Sequence, residues 1–444
     1  MKDFPKILLA LIGCLVAASI VCSLCVPTAL GAYLYLNRRN TPIAQVTQTE
    51  PLQPPVTTPD PVEASPVPLY TPVQPTLLPT PTQAGPSVLP ALPVIPPGAE
   101  TKFTLENTIV PINDPIDLAR RLQGKQNLPR SLEFPVDTYQ VGDRRSFWVT
   151  NSDTNQNSQV EASLAYVTDH VYFWVEEGVQ YDNRDLRALV EAFESQIYPR
   201  TREFFGSEWT PGVDADPRLY ILYTRGLGAS VAGYYSSADQ YLPVVRQDSN
   251  GHEMFLFSAD HVDLDQEFAY GVLAHEFQHM IHWYGDRNEE TWMNEGFSDL
   301  AMFLNGYSIG GADRAYVQTP DIQLTDWPAD PPNRSAHYGA AFLFLTYFLD
   351  RFGEQATQAL VAEPTNGMTS IDKVLTDLGA TDGLTGEAIG ADDVFSDWVI
   401  ASFLQDKNIA DGRYTYHNYP NAPDPDVTEE IRSCPAQPGE RDVS

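Results

Sequence analysis

The stretch Ala274-His275-Glu276-Phe277-Gln278-His279-Met280-Ile281-His282-Trp283, followed closely by Trp292-Met293-Asn294-Glu295-Gly296-Phe297-Ser298-Asp299, decides how the rest of the chain is read. His275 and His279 are four residues apart. On an α-helix that spacing puts both imidazoles on one face, where they can reach one ion. Glu276 lies beside that face, within reach of a water on the same ion. Val272, Leu273, Ala274, Phe277, Met280 and Ile281 supply the apolar surroundings of a buried helix. A catalytic zinc takes three protein ligands and keeps one position open, so a third ligand is expected downstream. Glu295 is the candidate, on a second segment whose neighbours Trp292, Met293, Phe297, Leu300 and Phe303 predict a well-packed helix. Asp299, four residues on, is expected to accept a hydrogen bond from the distal nitrogen of a ligand histidine. His282 stands about two turns from His275, too far to share the ion easily. It is read as a pocket residue.

Working outward from this core, the spacing predicts helices over Gln266 to Tyr284, Thr291 to Asn305, His337 to Arg351 and Val394 to Leu404. Upstream, Leu186 to Phe205 has helical spacing, and Asp117 to Leu122 reads as a short helix. Val160 to Val175 alternates as strands about a turn at Thr168-Asp169. Leu219 to Tyr223, Ala232 to Tyr235 and Met254 to Phe257 are further strand candidates, and Tyr139 to Val149 reads as strands around a turn. Strands first and helices later predict an α+β unit of two lobes. Asp260, Asp263, Asp265 and Glu267 are read as acids at the positive end of the first metal-bearing helix rather than as a calcium site.

The flanks read differently. Residues 1–6 form a short tail. Residues 7–36 carry no charged side chain, which is long enough for a membrane anchor; a cleaved signal segment is the alternative, with Ala29-Leu30-Gly31 as a cleavage site. Within 37–101, residues 41–100 hold 17 of the 37 prolines and no Lys or Arg. Such a composition predicts a disordered, extended stalk. Residues 102–159 are expected to form a small accessory region or pro-segment, 160–407 the main domain, and 408–444 an irregular acidic tail. Of the four cysteines, Cys14, Cys22 and Cys25 lie in the apolar run and only Cys434 elsewhere, so any metal site must use His and carboxylates. The formal charge of −32 and pI near 4.4 argue against a nucleic-acid partner.

The paired motifs resemble those of the gluzincin metallopeptidases, of which thermolysin is the best-known member. Asn294-Glu295-Gly296-Phe297-Ser298-Asp299 matches their Asn-Glu-x-x-Ser-Asp pattern position for position. The run His275 to Trp283, with Trp292 to Ser298, looks closer to the hyicolysin and immune inhibitor A types of secreted bacterial peptidase. The metzincin pattern fails, because His282 stands at its glycine and Gly285 at its last histidine. The gap from His279 to Glu295 is a few residues shorter than in thermolysin, so pocket residues cannot be copied across. The resemblance implies a two-lobed, thermolysin-like zincin fold with a mixed-sheet N-terminal lobe and a mainly helical C-terminal lobe. It implies Zn2+ on His275, His279 and Glu295, with Glu276 as general base. It implies a polypeptide substrate cut outside the cytoplasm, on a bacterial cell envelope. An oxyanion donor is expected at Tyr338 or His337, and the strand Ala232 to Tyr235 is a candidate to pair with an extended substrate. A non-catalytic adhesion module that keeps the fold is the rival reading; the presence of Glu276 argues against it.

Overall fold

The computed structural model describes residues 101–102, 114–135, 138–328 and 334–428. The chain divides into two units, 1–94 and 95–444, and every described residue belongs to the second. The run 7–36, nearly all of 37–101 and the chain from 429 onward lie outside the described residues. Among the described residues no helix is long and apolar enough to cross a membrane.

The architecture is α+β. Six strands, β1 (Arg144–Asn151), β2 (Gln156–Val167), β3 (Val171–Glu176), β4 (Leu219–Thr224), β5 (Gly233–Tyr235) and β6 (Met254–Ser258), form one mixed sheet in the order β1-β2-β3-β4-β6-β5. β3, β4 and β6 are parallel neighbours; the other pairings are antiparallel. The parallel centre is buried on both faces, which explains its uninterrupted apolar sequences. Val171, Phe173, Val175, Leu219, Ile221, Tyr223, Phe255 and Phe257 face one core. The alternate residues Tyr172, Trp174, Tyr220, Leu222, Met254 and Leu256 face a second, smaller core on the other side, as the two-residue period of a strand requires.

Helices, apart from the first, fill the larger core; the first packs Ile116 and Ala119 in a small third cluster with Leu128, Tyr241 and Val245. The helices are α1 (Pro115–Gln123), α2 (Asn183–Ala192), α3 (Tyr198–Phe205), α4 (Glu267–Gly285), α5 (Thr291–Leu304), α6 (Ala312–Gln318), α7 (Ser335–Val361), α8 (Gly367–Asp377) and α9 (Ala391–Leu404). The helix expected over 186–205 is split. Phe193–Ile197 forms a wide turn whose closing bond runs from Tyr198 N to Phe193 O. Pro199 has no N–H to continue an ordinary ladder, so the helix restarts there. The helix expected over 337–351 runs further, to 361, and is broken at Gly353, where φ is 79°.

Contacts cross two of the expected boundaries. β1 pairs along its length with β2, from Arg144↔Ser163 to Asn151↔Gln156. The division expected at 160 therefore cuts through the sheet, and residues 144–159 belong to it. At the other end, Tyr416 is buried and its hydroxyl accepts from Trp398 Nε1 at 2.9 Å. Asp426 N donates to Val317 O. The chain past 407 is irregular, yet up to 428 it closes part of the core. Its aromatic residues, not its acids, carry that role.

Candidate metal centre

α4 and α5 carry the site, and packing decides how they meet. Glycine at 296 lets α5 lie close to α7: a Cβ there would stand 2.9 Å from Leu345 Cδ1 and 3.0 Å from Ala341 Cβ. Gly233 does the same for β5 against α4, since a Cβ would stand 2.9 Å from Leu256 O and 3.1 Å from Val272 Cγ1. The last turn of the approach to α4 uses fewer acids than expected. Glu267 lies in the first turn of the helix, Asp263 binds the Gln266 side chain, and Asp260 instead accepts from Gly226 N at 2.7 Å.

The structure brings His275, His279 and Glu295 together. His275 Nε2 and His279 Nε2 are 3.0 Å apart, and each is 3.3 Å from Glu295 Oε2. Three ligands bound tetrahedrally at zinc distances form a triangle with edges of about 3.3 Å, so the donor set fits a small dication. The Glu295 Oε2 atom is buried against the two imidazole nitrogens. The distal ring nitrogens are both held. His275 Nδ1 meets Asp299 Oδ1 at 3.0 Å, and His279 Nδ1 meets Ser298 Oγ at 3.0 Å. Ser298 Oγ in turn donates to Gln278 Oε1 at 2.5 Å. Fixing Nδ1 as the protonated nitrogen aims Nε2 at the ion. Asp299 was expected here. Ser298 was not, although it stands one residue earlier in the same motif.

Charge in the site is strongly coupled. Burial pushes the His275 imidazole down, but hydrogen bonds to Asp299 and Glu295 outweigh it and hold it well above the usual histidine value. Burial pushes Glu295 up, and the two imidazoles overcome this to hold it well below the carboxylate range. Three carboxylates around two imidazoles make a field that favours positive charge, the electrostatic counterpart of the donor geometry. Glu276 is buried, and burial raises its carboxyl above the ordinary value. Its Oε2 accepts from Tyr235 N at 2.7 Å, so the end of β5 positions it.

The remaining aromatics sort themselves. The Tyr338 ring lies 6.3 Å from the His275 ring, and burial first, then the nearby carboxylates, holds its phenol protonated far above the usual range. His337 lies edge-on to Trp327 and is not among the residues that line the cavity beside Tyr338. A cavity of about 1030 Å³ is lined by His275, Glu276, Gly233 and Tyr338; another of about 290 Å³ is lined by His279, Glu295, Tyr235 and Trp283. The triad thus lies between two hollows, with β5 bordering both.

The helix pair thus presents two imidazoles and a carboxylate as a closed triangle beside a buried glutamate, a donor set that could hold a metal ion. Among known proteins, the chain is 26% identical over 204 residues to the neutral metalloprotease ShpI of Staphylococcus hyicus, a match covering 43% of this chain and 44% of that protein. No family model matches the sequence. The chain is therefore distantly related to a metalloprotease, and the match spans less than half of that relative's length.

Proposed function

We propose that the protein is a zinc-dependent endopeptidase of the gluzincin type. The observation that carries this reading is the triangle of His275 Nε2, His279 Nε2 and Glu295 Oε2, with edges of 3.0 to 3.3 Å, beside the carboxylate of Glu276. The distant metalloprotease relative supports it. His275, His279 and Glu295 would hold Zn2+, which supplies Lewis acidity that lowers the pKa of a water and polarises a carbonyl.

The chain's own residues do the rest. Glu276, anchored through one oxygen by Tyr235 N, takes a proton from the attacking water and passes it to the leaving amine. The protonated Tyr338 hydroxyl, at the edge of the same cavity, donates to the oxygen on which charge develops. Asp299 and Ser298 keep the ligand histidines oriented. β5 is the edge strand of the sheet. Ala232 O faces β6, bonding Ser258 N, so the alternate residue Gly233 turns its main-chain groups outward. An extended polypeptide can add there as a further strand, which suits an endopeptidase. A sheet-bearing lobe before α4 and a helical lobe after it would place the cleft between them. The uncharged run 7–36 and the proline-rich stretch behind it support action outside the cytoplasm, as an anchored or released enzyme.

The test is casein hydrolysis with zinc analysis, comparing the wild-type chain with Glu276→Gln. The variant keeps wild-type zinc and loses about 10²-fold or more of the hydrolysis rate. Equal activity in the two proteins would remove Glu276 from the mechanism.

A further inference from the structure

Three further side chains converge where α4 gives way to α5. His282 is 1% exposed and Asp286 6% exposed, and Glu289 lies in the connection between the helices. One ligand atom from each of the three lies within 4.8 Å of the others. Each side chain is anchored through one atom. His282 Nδ1 meets Asn294 Nδ2 at 3.0 Å, and Asp286 Oδ1 accepts from Asn288 N at 3.2 Å. Glu289 Oε1 accepts from Glu290 N at 2.5 Å and Gly367 N at 2.8 Å. Each also keeps a second polar atom buried with no hydrogen-bond partner: His282 Nε2, Asp286 Oδ2 and Glu289 Oε2. Orphaned polar atoms in such a place are costly and call for an explanation. One anchored atom and one free atom per side chain is also the arrangement at His275 and His279; at His282 the Asn294 amide donates to Nδ1, so a cation at Nε2 displaces that nitrogen's proton and requires the amide to turn its oxygen toward Nδ1.

We propose that His282, Asp286 and Glu289 form a second divalent-cation site, separate from that of His275, His279 and Glu295, whose occupant is a first-row dication of the Zn2+ class. One imidazole nitrogen with two carboxylate oxygens suits zinc; a calcium site collects six to eight oxygens. Burial pushes the Glu289 carboxyl up to about 7, the expected cost of a carboxylate without a counter-charge, which a cation removes. The ion ties the end of α4 to the loop before α5 and, through Gly367 N, to the start of α8. Its partner Asn294 is the residue before Glu295, so the site fixes the third ligand of the first centre. His282, Asp286 and Glu289 are positioning residues for the reaction.

Zinc per chain, measured by elemental mass spectrometry on the full-length protein after zinc loading and dialysis, tests the assignment. The wild type holds two equivalents, Asp286→Asn with Glu289→Gln holds one, and Glu295→Gln holds the other one. Zinc also raises the melting temperature of Glu295→Gln, through the remaining site. If the double variant does not fold, Glu289→Gln alone gives the same readout by weakening the second zinc tenfold or more. Equal zinc in the wild type and the carboxamide variants overturns the proposal, while loss of zinc in Glu295→Gln alone leaves the first centre standing. A change in preference for Lys or Arg in the substrate with no change in zinc also overturns it, since the acids would then form a substrate pocket.

Discussion

At the scale of single residues, His275 and His279 each have a partner, Asp299 and Ser298, that holds Nδ1 and turns Nε2 toward Glu295. Asp299→Ala and Ser298→Ala each weaken zinc binding by about 10- to 100-fold. Asp299→Ala has the larger effect because it also removes a charge from the His275 imidazole. Competition against a zinc chelator measures both. Unchanged affinity in the two variants would mean that the helices alone orient the rings. The grouping of His275, His279 and Glu276 was legible in the sequence because helical spacing states which side chains share a face, whereas Glu295, on the next helix, was expected because a catalytic zinc takes a third ligand. Ser298 was harder, since a serine mid-helix usually turns its hydroxyl back on its own carbonyls. It makes such a bond, to Asn294 O at 3.2 Å, yet the same oxygen also reaches His279. Nothing in local sequence separates those cases. The main-chain amide of Tyr235 that holds Glu276 carries no residue-type signal at all.

At the scale of elements, α5 has to approach α7 closely enough to present Glu295 to α4, and Gly296 permits it. Gly296→Val places methyl groups against Leu345 and Ala341. Overpacking of this kind costs about 1–3 kcal/mol, read from denaturant unfolding. Activity falls more than stability, because the displaced residue adjoins the ligand. Full activity in Gly296→Val would show that α5 can shift without moving Glu295. The helices α4 and α5 followed from their apolar periodicity to within a residue or two. The strand Ala232 to Tyr235 was expected, as one that could pair with substrate, but its place beside Glu276 was not legible. The three residues of β5 carry no signal of their neighbours, and only the pairing of β5 with β6 places the strand beside Glu276.

At the scale of the molecule, the sheet and the helical layers share a core that the ends of the described chain complete. Composition made the tail look dispensable, because acids and prolines mask how few aromatic residues are needed to close a core. Tyr416 receives the Trp398 indole N–H and bonds Ser402, Arg413 pairs with Asp397 at 3.2 Å, and Tyr419 donates to Asp313 at 2.9 Å. A chain ending at Lys407 therefore melts at a clearly lower temperature or without a cooperative transition. Tyr416→Phe, which keeps the ring and removes the acceptor, costs about 1–3 kcal/mol. Calorimetry decides, and an unchanged melting temperature for the shortened chain would return residues 408–428 to the role of a tail. At the front, Tyr139 to Val149 was read as strands around a turn, and only the pairing of β1 with β2 ties that segment to the sheet.

Anomalous scattering at the zinc edge, from crystals of the zinc-loaded protein, decides whether an ion sits among His275, His279 and Glu295. The expected result is a peak bonded at about 2.0–2.2 Å to His275 Nε2, His279 Nε2 and Glu295 Oε2. Zinc found elsewhere, with no peak inside that triangle, would contradict it.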